Sequence, residues 1–241
     1  MEEAKINPNT MDKTLRREEL IFRRQREQIR KRLLKYTRKA FRMLPKLDNP
    51  RILDVGCGSG VPTMELARLS NGEIIGLDID QSALDILTKK TIRAGLSDRV
   101  KTTNHSVLNM EFAKESFDII WSEGCIHVVG FEKGLREWRR FLKPNGYMVV
   151  HDGQDNIDEK LEQISSYGYK LLGHFLLSVD TWWVEYFVPL KKLVAETLAK
   201  YGDDPKILEA VGSSQREIDR FKENPERNGS VFFIMRRDDI N

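Results

Sequence analysis

A glycine-rich segment near residue 56 is the part of this sequence whose residue types and spacing most clearly could do chemistry. The run Leu53-Asp54-Val55-Gly56-Cys57-Gly58-Ser59-Gly60 lies where a predicted strand ends and a predicted helix begins. Glycines allow a tight turn and let a ligand come close to the backbone, and the helix that follows presents unpaired amide groups. The segment therefore predicts a ligand-binding loop.

An acidic residue at the end of the next predicted strand indicates the class of ligand. That strand ends in Ile75-Gly76-Leu77-Asp78, eighteen residues after Gly60, and a carboxylate there accepts hydrogen bonds from ribose hydroxyls. The dinucleotide fingerprint needs a glycine where this chain has Val61, and the Gly-Lys-Ser/Thr of a Walker loop is absent. Asp54 beside the loop suits a ligand with an ammonium group better than one with a pyrophosphate.

The elements that hold this loop follow an alternating pattern. From Arg51 onward, short apolar runs alternate with helical stretches, which is typical of parallel strands joined by crossover helices. The predicted strands are 51–55, 73–78, 100–104, 117–122, 147–151, 169–178 and 230–236. The predicted helices are 62–69, 82–94, 132–141, 157–167, 191–201 and 205–221. A tight turn over 143–146 is predicted to precede the fifth strand.

A long basic helix is predicted before the alternating region. It runs from Asp12 to Leu44 after a loose tail, and Pro45 ends it. Between Met11 and Lys46 there are fourteen Lys or Arg residues against four Asp or Glu, whereas the whole chain has a net charge of only +3. This stretch is therefore the one place where binding to a polyanion such as RNA is worth considering.

Composition excludes several other classes of protein. With 241 residues, 40% apolar and 32% charged, the chain is a globular protein and not a disordered one. No apolar run reaches the roughly 18 residues of a membrane span, and the first residues lack the pattern of a secretory signal. Cys57 and Cys125 have no metal-ligand spacing. We therefore expect a cytoplasmic monomer or homodimer with no metal and no membrane partner.

Four motifs together resemble the class I S-adenosylmethionine-dependent methyltransferases. They are Asp54 to Gly60, Gly76-Leu77-Asp78, Ser116-Phe117-Asp118-Ile119-Ile120 and Leu142-Lys143-Pro144-Asn145-Gly146-Tyr147, in the order and spacing of that family. The segments 120–131 and 182–187 are similar to a branch that methylates small molecules. The resemblance implies a Rossmann-like α/β fold with a doubly wound seven-stranded sheet, mostly parallel with an antiparallel last strand, and helices on both faces. It places this domain at 47–241, with 1–46 as a tail and a basic helix that covers the acceptor side.

The same resemblance implies S-adenosylmethionine as cofactor and S-adenosylhomocysteine as product. The methionine part would lie against the glycine loop and Asp54, the ribose on Asp78 and the adenine beside Ile79. Ser106, followed by Val107, stands where family members often carry an acid for the adenine amino group. The implied cofactor residues are Asp54, Gly56, Cys57, Gly58, Gly60, Asp78, Ile79, Ser106 and Val107.

Methyl transfer from a sulfonium mainly requires alignment of the reactants in a dry pocket, and a base is needed only when the acceptor holds its proton tightly. Glu123 and His127, after the fourth strand, are the candidate catalytic residues. Glu123 either faces the pocket or is a solvated or capping carboxylate, and His127 is either a proton acceptor or a packed histidine. The aromatic run Trp182, Trp183, Tyr186 and Phe187 either walls the acceptor pocket or belongs to the core.

Three functions remain open at this point. The first is a methyltransferase that acts on a small-molecule acceptor. The second is an RNA methyltransferase that uses the basic helix, and the third is a non-catalytic protein that only binds the cofactor.

Overall fold

The computed structural model describes residues 8–202, 204–224 and 228–239, with side chains from residue 17 onward. The chain divides into two units. The sheet unit comprises Leu34–Ser178 and Gly229–Asn241, and the helical unit comprises Met1–Leu33 and Val179–Asn228. No helix of the described residues is both long enough and apolar enough to cross a membrane.

The sheet unit is built on a seven-stranded sheet. Its strands are β1 Arg51–Val55, β2 Glu73–Asp78, β3 Val100–Asn104, β4 Phe117–Glu123, β5 Leu142–Gly153, β6 Tyr169–Leu177 and β7 Ser230–Arg237. The spatial order is β3-β2-β1-β4-β5-β7-β6, in which β1 to β5 are parallel and β7 lies antiparallel between β5 and β6. The predicted fold class is confirmed. Because parallel strands end at the same edge, the carboxyl ends of β1, β2, β4 and β5 lie side by side.

Nine α-helices occur in the described residues. They are α1 Pro8–Lys31, α2 Leu34–Arg42, α3 Val61–Leu69, α4 Gln81–Arg93, α5 Phe131–Trp138, α6 Ile157–Ser166, α7 Val179–Trp182, α8 Val188–Tyr201 and α9 Pro205–Glu223. Short 3-10 turns at Ile126–Val128 and Arg139–Phe141 flank α5.

Alternation along the strands gives the sheet two different faces. Leu53 and Val55 of β1 point into the main apolar cluster, which also contains Leu135 and Trp138 of α5. Asp54, which lies between them in sequence, points to the opposite face and is bonded to Thr63 of α3. Helices therefore cover both faces of the sheet, and Asp54 lies on the face opposite the main apolar cluster.

The basic stretch forms two helices where the sequence predicts one. The first starts at Pro8, four residues before Asp12, as proline is tolerated in a first helical turn. It ends at Lys31, because Arg32 N and Leu33 N donate to Ile29 O and Arg30 O, three residues back, and tighten the last turn. After this break, α2 begins at Leu34 and belongs to the sheet unit.

The fifth strand starts earlier than predicted. The residues expected to form a separate turn, 143–146, lie inside β5, where Asn145 has a φ of 61°. Pairing with β4 shifts register there, since Phe117 pairs with Leu142 but Ile119 pairs with Tyr147. The predicted turn is therefore an irregularity within β5 and not a separate element.

The helical unit contains the aromatic run. Residues Trp183–Phe187 form a π-helical turn between α7 and α8, a region for which the sequence predicts no helix. Tyr186 and Phe187 are buried, and the Phe187 ring lies 3.9 Å from that of Phe221 in α9. Within this unit these two side chains are core residues.

Candidate functional site

The glycine loop is tied to the end of the neighbouring strand. Gly56 N and Cys57 N both donate to Leu77 O, at 2.8 and 3.0 Å, and Gly60 N donates to Cys57 O at 2.9 Å. Gly58 has a φ of 52°, in the left-handed region that favours glycine. These bonds hold the loop at the carboxyl edge of the sheet, beside Asp78.

The carboxylate of Asp78 is oriented by two backbone amides. Gly58 N donates to its Oδ2 at 2.7 Å, and Asp80 N donates to its Oδ1 at 2.9 Å. A carboxylate has about four lone-pair sites, so each oxygen can accept a further hydrogen bond. Asp78 therefore presents two acceptor oxygens in a fixed position at the edge of the sheet.

Two glycines of the loop serve packing, and the third faces open space. A Cβ atom on Gly56 would lie 2.4 Å from the Cβ and Sγ atoms of Cys125, and one on Gly60 would lie 2.3 Å from Cδ1 of Leu87. A Cβ on Gly58 would meet no described atom within 4 Å. Gly58 is therefore the loop position at which a ligand can approach the backbone.

Asp54 is a buried carboxyl group whose charge state depends on its surroundings. Asp54 is 1% exposed, and its Oδ2 accepts a 2.6 Å hydrogen bond from Thr63 Oγ1. Burial raises the pKa of Asp54 to about 7; the negative charges of Glu123 and Asp78 raise it too, and the bond from Thr63 lowers it. A positively charged ligand beside Asp54 would stabilise the ionised form.

The residues expected near the adenine lie at the ends of β2 and β3. Ile79 is 72% exposed. Asn104 Nδ2 donates to the carbonyl oxygens of Asp78 and Ile79, at 3.2 and 2.9 Å, and so fixes this edge. Ser106 Oγ accepts from Leu108 N at 3.2 Å in a local turn, and Val107 packs against the main cluster.

Sequence reasoning assigns no role to Asn104. Its position immediately at the end of β3, next to the β2 end in the sheet, is the signal that could have identified it.

Glu123 lies at the end of β4 and is held by two donors. Thr37 Oγ1 in α2 donates to its Oε1 at 2.8 Å, and Trp121 Nε1 donates to the same oxygen at 2.9 Å. The sequence does not predict either donor, because Thr37 lies 86 residues from Glu123 in the chain and Trp121 has the pattern of an ordinary strand residue.

The histidines have different environments. His127 is exposed in the 3-10 turn Ile126–Val128, so it is not packed between helix and sheet. His151 is buried at the end of β5, where its Nε2 lies 2.7 Å from Ser230 Oγ and its ring stacks on Phe232. The structure thus brings Glu123 beside the strand ends and leaves His127 at the surface.

Both cysteines lie in or beside the glycine loop. Burial raises the pKa of Cys125 to about 11 and raises that of Cys57 further, and the charges of Asp54 and Asp78 act in the same direction. Cys125 packs against Gly56 and Cys57 against Gly76, so both have a packing role. Among the described side chains, no group of three or more His, Cys, Asp or Glu residues could hold a metal ion.

Comparison with known proteins finds a match in the first part of the sheet unit. A family model described as "Methyltransferase domain" matches residues 52–146. A sterol 24-C-methyltransferase of Neurospora crassa is 34% identical over 111 residues, which are 45% of this chain and 29% of that protein. The matches span less than half the length of the first curated relatives.

Solved structures agree with the fold. The crystal structure of the 4+2 cyclase SpnF has a TM-score of 0.71 and 20% identity, over 85% of this chain and 80% of that one. A methyltransferase from Geobacter sulfurreducens in complex with S-adenosyl-L-homocysteine has a TM-score of 0.66 and 19% identity, over 85% and 89% of the two chains. Residues 52–146 are therefore similar to a methyltransferase domain, and the fold agrees with that of solved methyltransferase structures.

Proposed function

We propose that this protein is an S-adenosylmethionine-dependent methyltransferase that acts on a small-molecule acceptor. The observation that carries the proposal is the open space at Gly58, which lies directly beside the oriented carboxylate of Asp78. A nucleoside ligand needs such a close approach to backbone and a carboxylate for its ribose. Both are present at the carboxyl edge of the sheet, where ligands of open α/β sheets bind.

The residues of the site fit this cofactor. Asp78 would hold the ribose hydroxyls, Ile79 offers an apolar surface for the adenine, and Asp54 supplies negative charge for the ammonium group. The bound cofactor supplies a methyl group on a positively charged sulfur, with a neutral thioether as leaving group. Glu123, at the end of β4, would contact or deprotonate the acceptor. His127 remains the second candidate for this role.

A small acceptor is favoured over RNA by the relatives and by the charges of α1. One relative acts on a sterol according to its name, and several basic residues in the described part of α1 are ion-paired. Arg23 bonds Glu19 at 2.9 Å, Lys31 lies 3.1 Å from Glu27, and Arg26 bonds Glu217 of α9 at 2.9 Å. Ion-paired side chains are less available to phosphate groups.

Three expectations from the sequence stay predictions. They are that residues 1–46 cover the acceptor side, that the protein is a monomer or homodimer, and that it resides in the cytoplasm.

The experiment that tests the function measures binding and turnover separately. Calorimetry with S-adenosylhomocysteine tests the cofactor site, and labelled S-adenosylmethionine with a fractionated metabolite extract tests transfer. We expect micromolar binding and label transfer with at least one fraction. The absence of binding would overturn the proposal. Binding without transfer would favour a non-catalytic protein, and transfer only to a total RNA fraction would favour the RNA alternative.

Removal of the ribose-binding carboxylate should weaken cofactor binding selectively. We expect Asp78→Ala to lower affinity for S-adenosylhomocysteine by about tenfold or more, because hydrogen bonds to a charged group contribute about 1.5–3 kcal/mol. Asp80→Ala is the matched control: its carboxylate caps α4 by accepting from Ser82 N and Ala83 N, so its loss costs about 1 kcal/mol of stability. Calorimetry that gives equal affinities for the two variants would contradict the assignment of Asp78.

A further inference from the structure

A buried hydroxyl of helix α2 contacts the end of β4. Thr37 is 1% exposed, and its Oγ1 donates to Glu123 Oε1 at 2.8 Å. A buried hydroxyl without a partner costs free energy, and the bond to Glu123 satisfies this donor. The bond joins a helix that precedes the sheet in sequence to the candidate acceptor-side carboxylate.

The next residue of α2 anchors the helix to α3. Arg38 Nε donates to Glu65 Oε1 at 2.6 Å, and the Glu65 side chain is only 5% exposed. The same helix α3 carries Thr63, which donates to Asp54. Helix α2 is thus connected to the elements that carry both carboxylates, Asp54 and Glu123.

A second donor acts on the same oxygen of Glu123. Trp121 is fully buried, and its Nε1 donates to Glu123 Oε1 at 2.9 Å. Trp121 pairs with Asp54 across β1 and β4, and its ring lies 6.3 Å from that of Phe41 in α2. Since an ionised carboxylate only accepts, donors from two directions define where this oxygen lies.

We propose that Thr37, together with Trp121, is a positioning residue that orients Glu123 toward the methyl acceptor. The inference rests on the proposed function, because it assigns Glu123 to the acceptor side. Thr37 is almost fully buried, and in this role it acts through Glu123. Loss of the hydroxyl removes one of the donors to Oε1 and loosens the orientation of the carboxylate, so the effect falls on turnover and not on cofactor affinity.

Two variants at one position separate the hydroxyl from packing. Thr37→Val keeps the shape and removes the donor, whereas Thr37→Ser keeps the donor. Thr91→Val is a matched control, because Thr91 of α4 is also buried, with 2% of its surface exposed. Among the described contacts its hydroxyl donates only to Thr88 O of the same helix, at 2.8 Å. Each variant is tested as the full chain.

We expect Thr37→Val to lower the turnover of labelled cofactor, with the active metabolite fraction, by about tenfold. Its dissociation constant for S-adenosylhomocysteine should stay within twofold of wild type. Thr37→Ser should return turnover to within threefold of wild type, and Thr91→Val should leave it unchanged. Equal turnover in Thr37→Val and wild type, or no recovery with serine, would overturn the inference.

A spectroscopic signature tests the positioning without an acceptor. The ¹H–¹⁵N resonance of the Trp121 indole, one of four tryptophans and assigned by its loss in Trp121→Phe, reports the bond to Glu123. It should move in Thr37→Val and in Glu123→Gln, and stay in place in Thr37→Ser and Thr91→Val. An unmoved resonance in Thr37→Val contradicts the positioning role. A wild-type protein that binds no S-adenosylhomocysteine contradicts the proposed function instead.

Discussion

Gly58→Val is expected to lower affinity for S-adenosylhomocysteine at least about 100-fold, because the new side chain occupies the space through which a nucleoside approaches the loop backbone. A Cβ atom there meets no described atom within 4 Å, so the folded chain can accommodate it apart from backbone strain. With a φ of 52°, that strain costs about 1–3 kcal/mol. The measurements are calorimetric titration of the variant and its chemical unfolding.

Gly95→Val provides the matched control for this prediction. Gly95 follows α4, has a φ of 66°, and likewise has no described atom within 4 Å of an added Cβ. The same substitution therefore imposes a similar backbone strain away from the glycine loop. Gly95→Val should lose a similar amount of stability and keep its affinity within about twofold. Equal losses of affinity in the two variants would show that strain, and not blockage of a ligand site, explains the effect.

The second large effect is expected at Asp54, whose affinity for the cofactor ammonium should depend on pH. Burial raises the pKa of this carboxyl to about 7, so in the free protein it is largely protonated at pH 5.5 and largely ionised at pH 7.5. An ammonium group binds the ionised form, and binding at low pH must first release the proton. Affinity for S-adenosylhomocysteine should therefore fall about tenfold or more from pH 7.5 to pH 5.5.

Asp54→Asn should bind more weakly at pH 7.5 and lose this pH dependence. The asparagine keeps an acceptor for Thr63 Oγ1 but carries no charge at either pH. Calorimetry at the two pH values compares the proteins directly. A variant that retains the pH dependence of the wild type would assign it to another group.

The same substitution weakens cofactor binding but should raise the free energy of unfolding, relative to wild type, as the pH rises. The folded-state pKa of Asp54 lies above the ordinary value of 3.8, so its contribution to stability is present at low pH and is lost as pH rises toward about 7. Relative to wild type, Asp54→Asn should gain about 2–3 kcal/mol of unfolding free energy between pH 5 and pH 8 in the absence of ligand. Urea unfolding at both pH values measures this gain. A difference in unfolding free energy that stays constant with pH would contradict a raised pKa of the buried Asp54 carboxyl.

Local features of the chain were predictable because they depend on neighbours in sequence. The strand-loop-helix change around Gly56, the carboxylate of Asp78 at the next strand end, and the alternation of strands and helices each follow from spacing within about ten to twenty residues. The boundary in the basic stretch was not predictable, since apolar residues continue on one face through the break at Arg32 and Leu33. The helical π-turn at Trp183–Phe187 was missed for a related reason, because dense aromatic residues suit helix and strand alike.

The sequence alone determined the fold class, the glycine loop and the carboxylate beside it, because the backbone freedom of glycine and the alternation of strands and helices depend on local sequence. Only the tertiary structure distinguished Gly58 from Gly56 and Gly60, gave Asp54 its buried setting, and joined Thr37 to Glu123 across 86 residues. These properties depend on which atoms of distant segments pack against each other away from water. Burial and hydrogen-bond partners of that kind arise only when helices and sheet pack together.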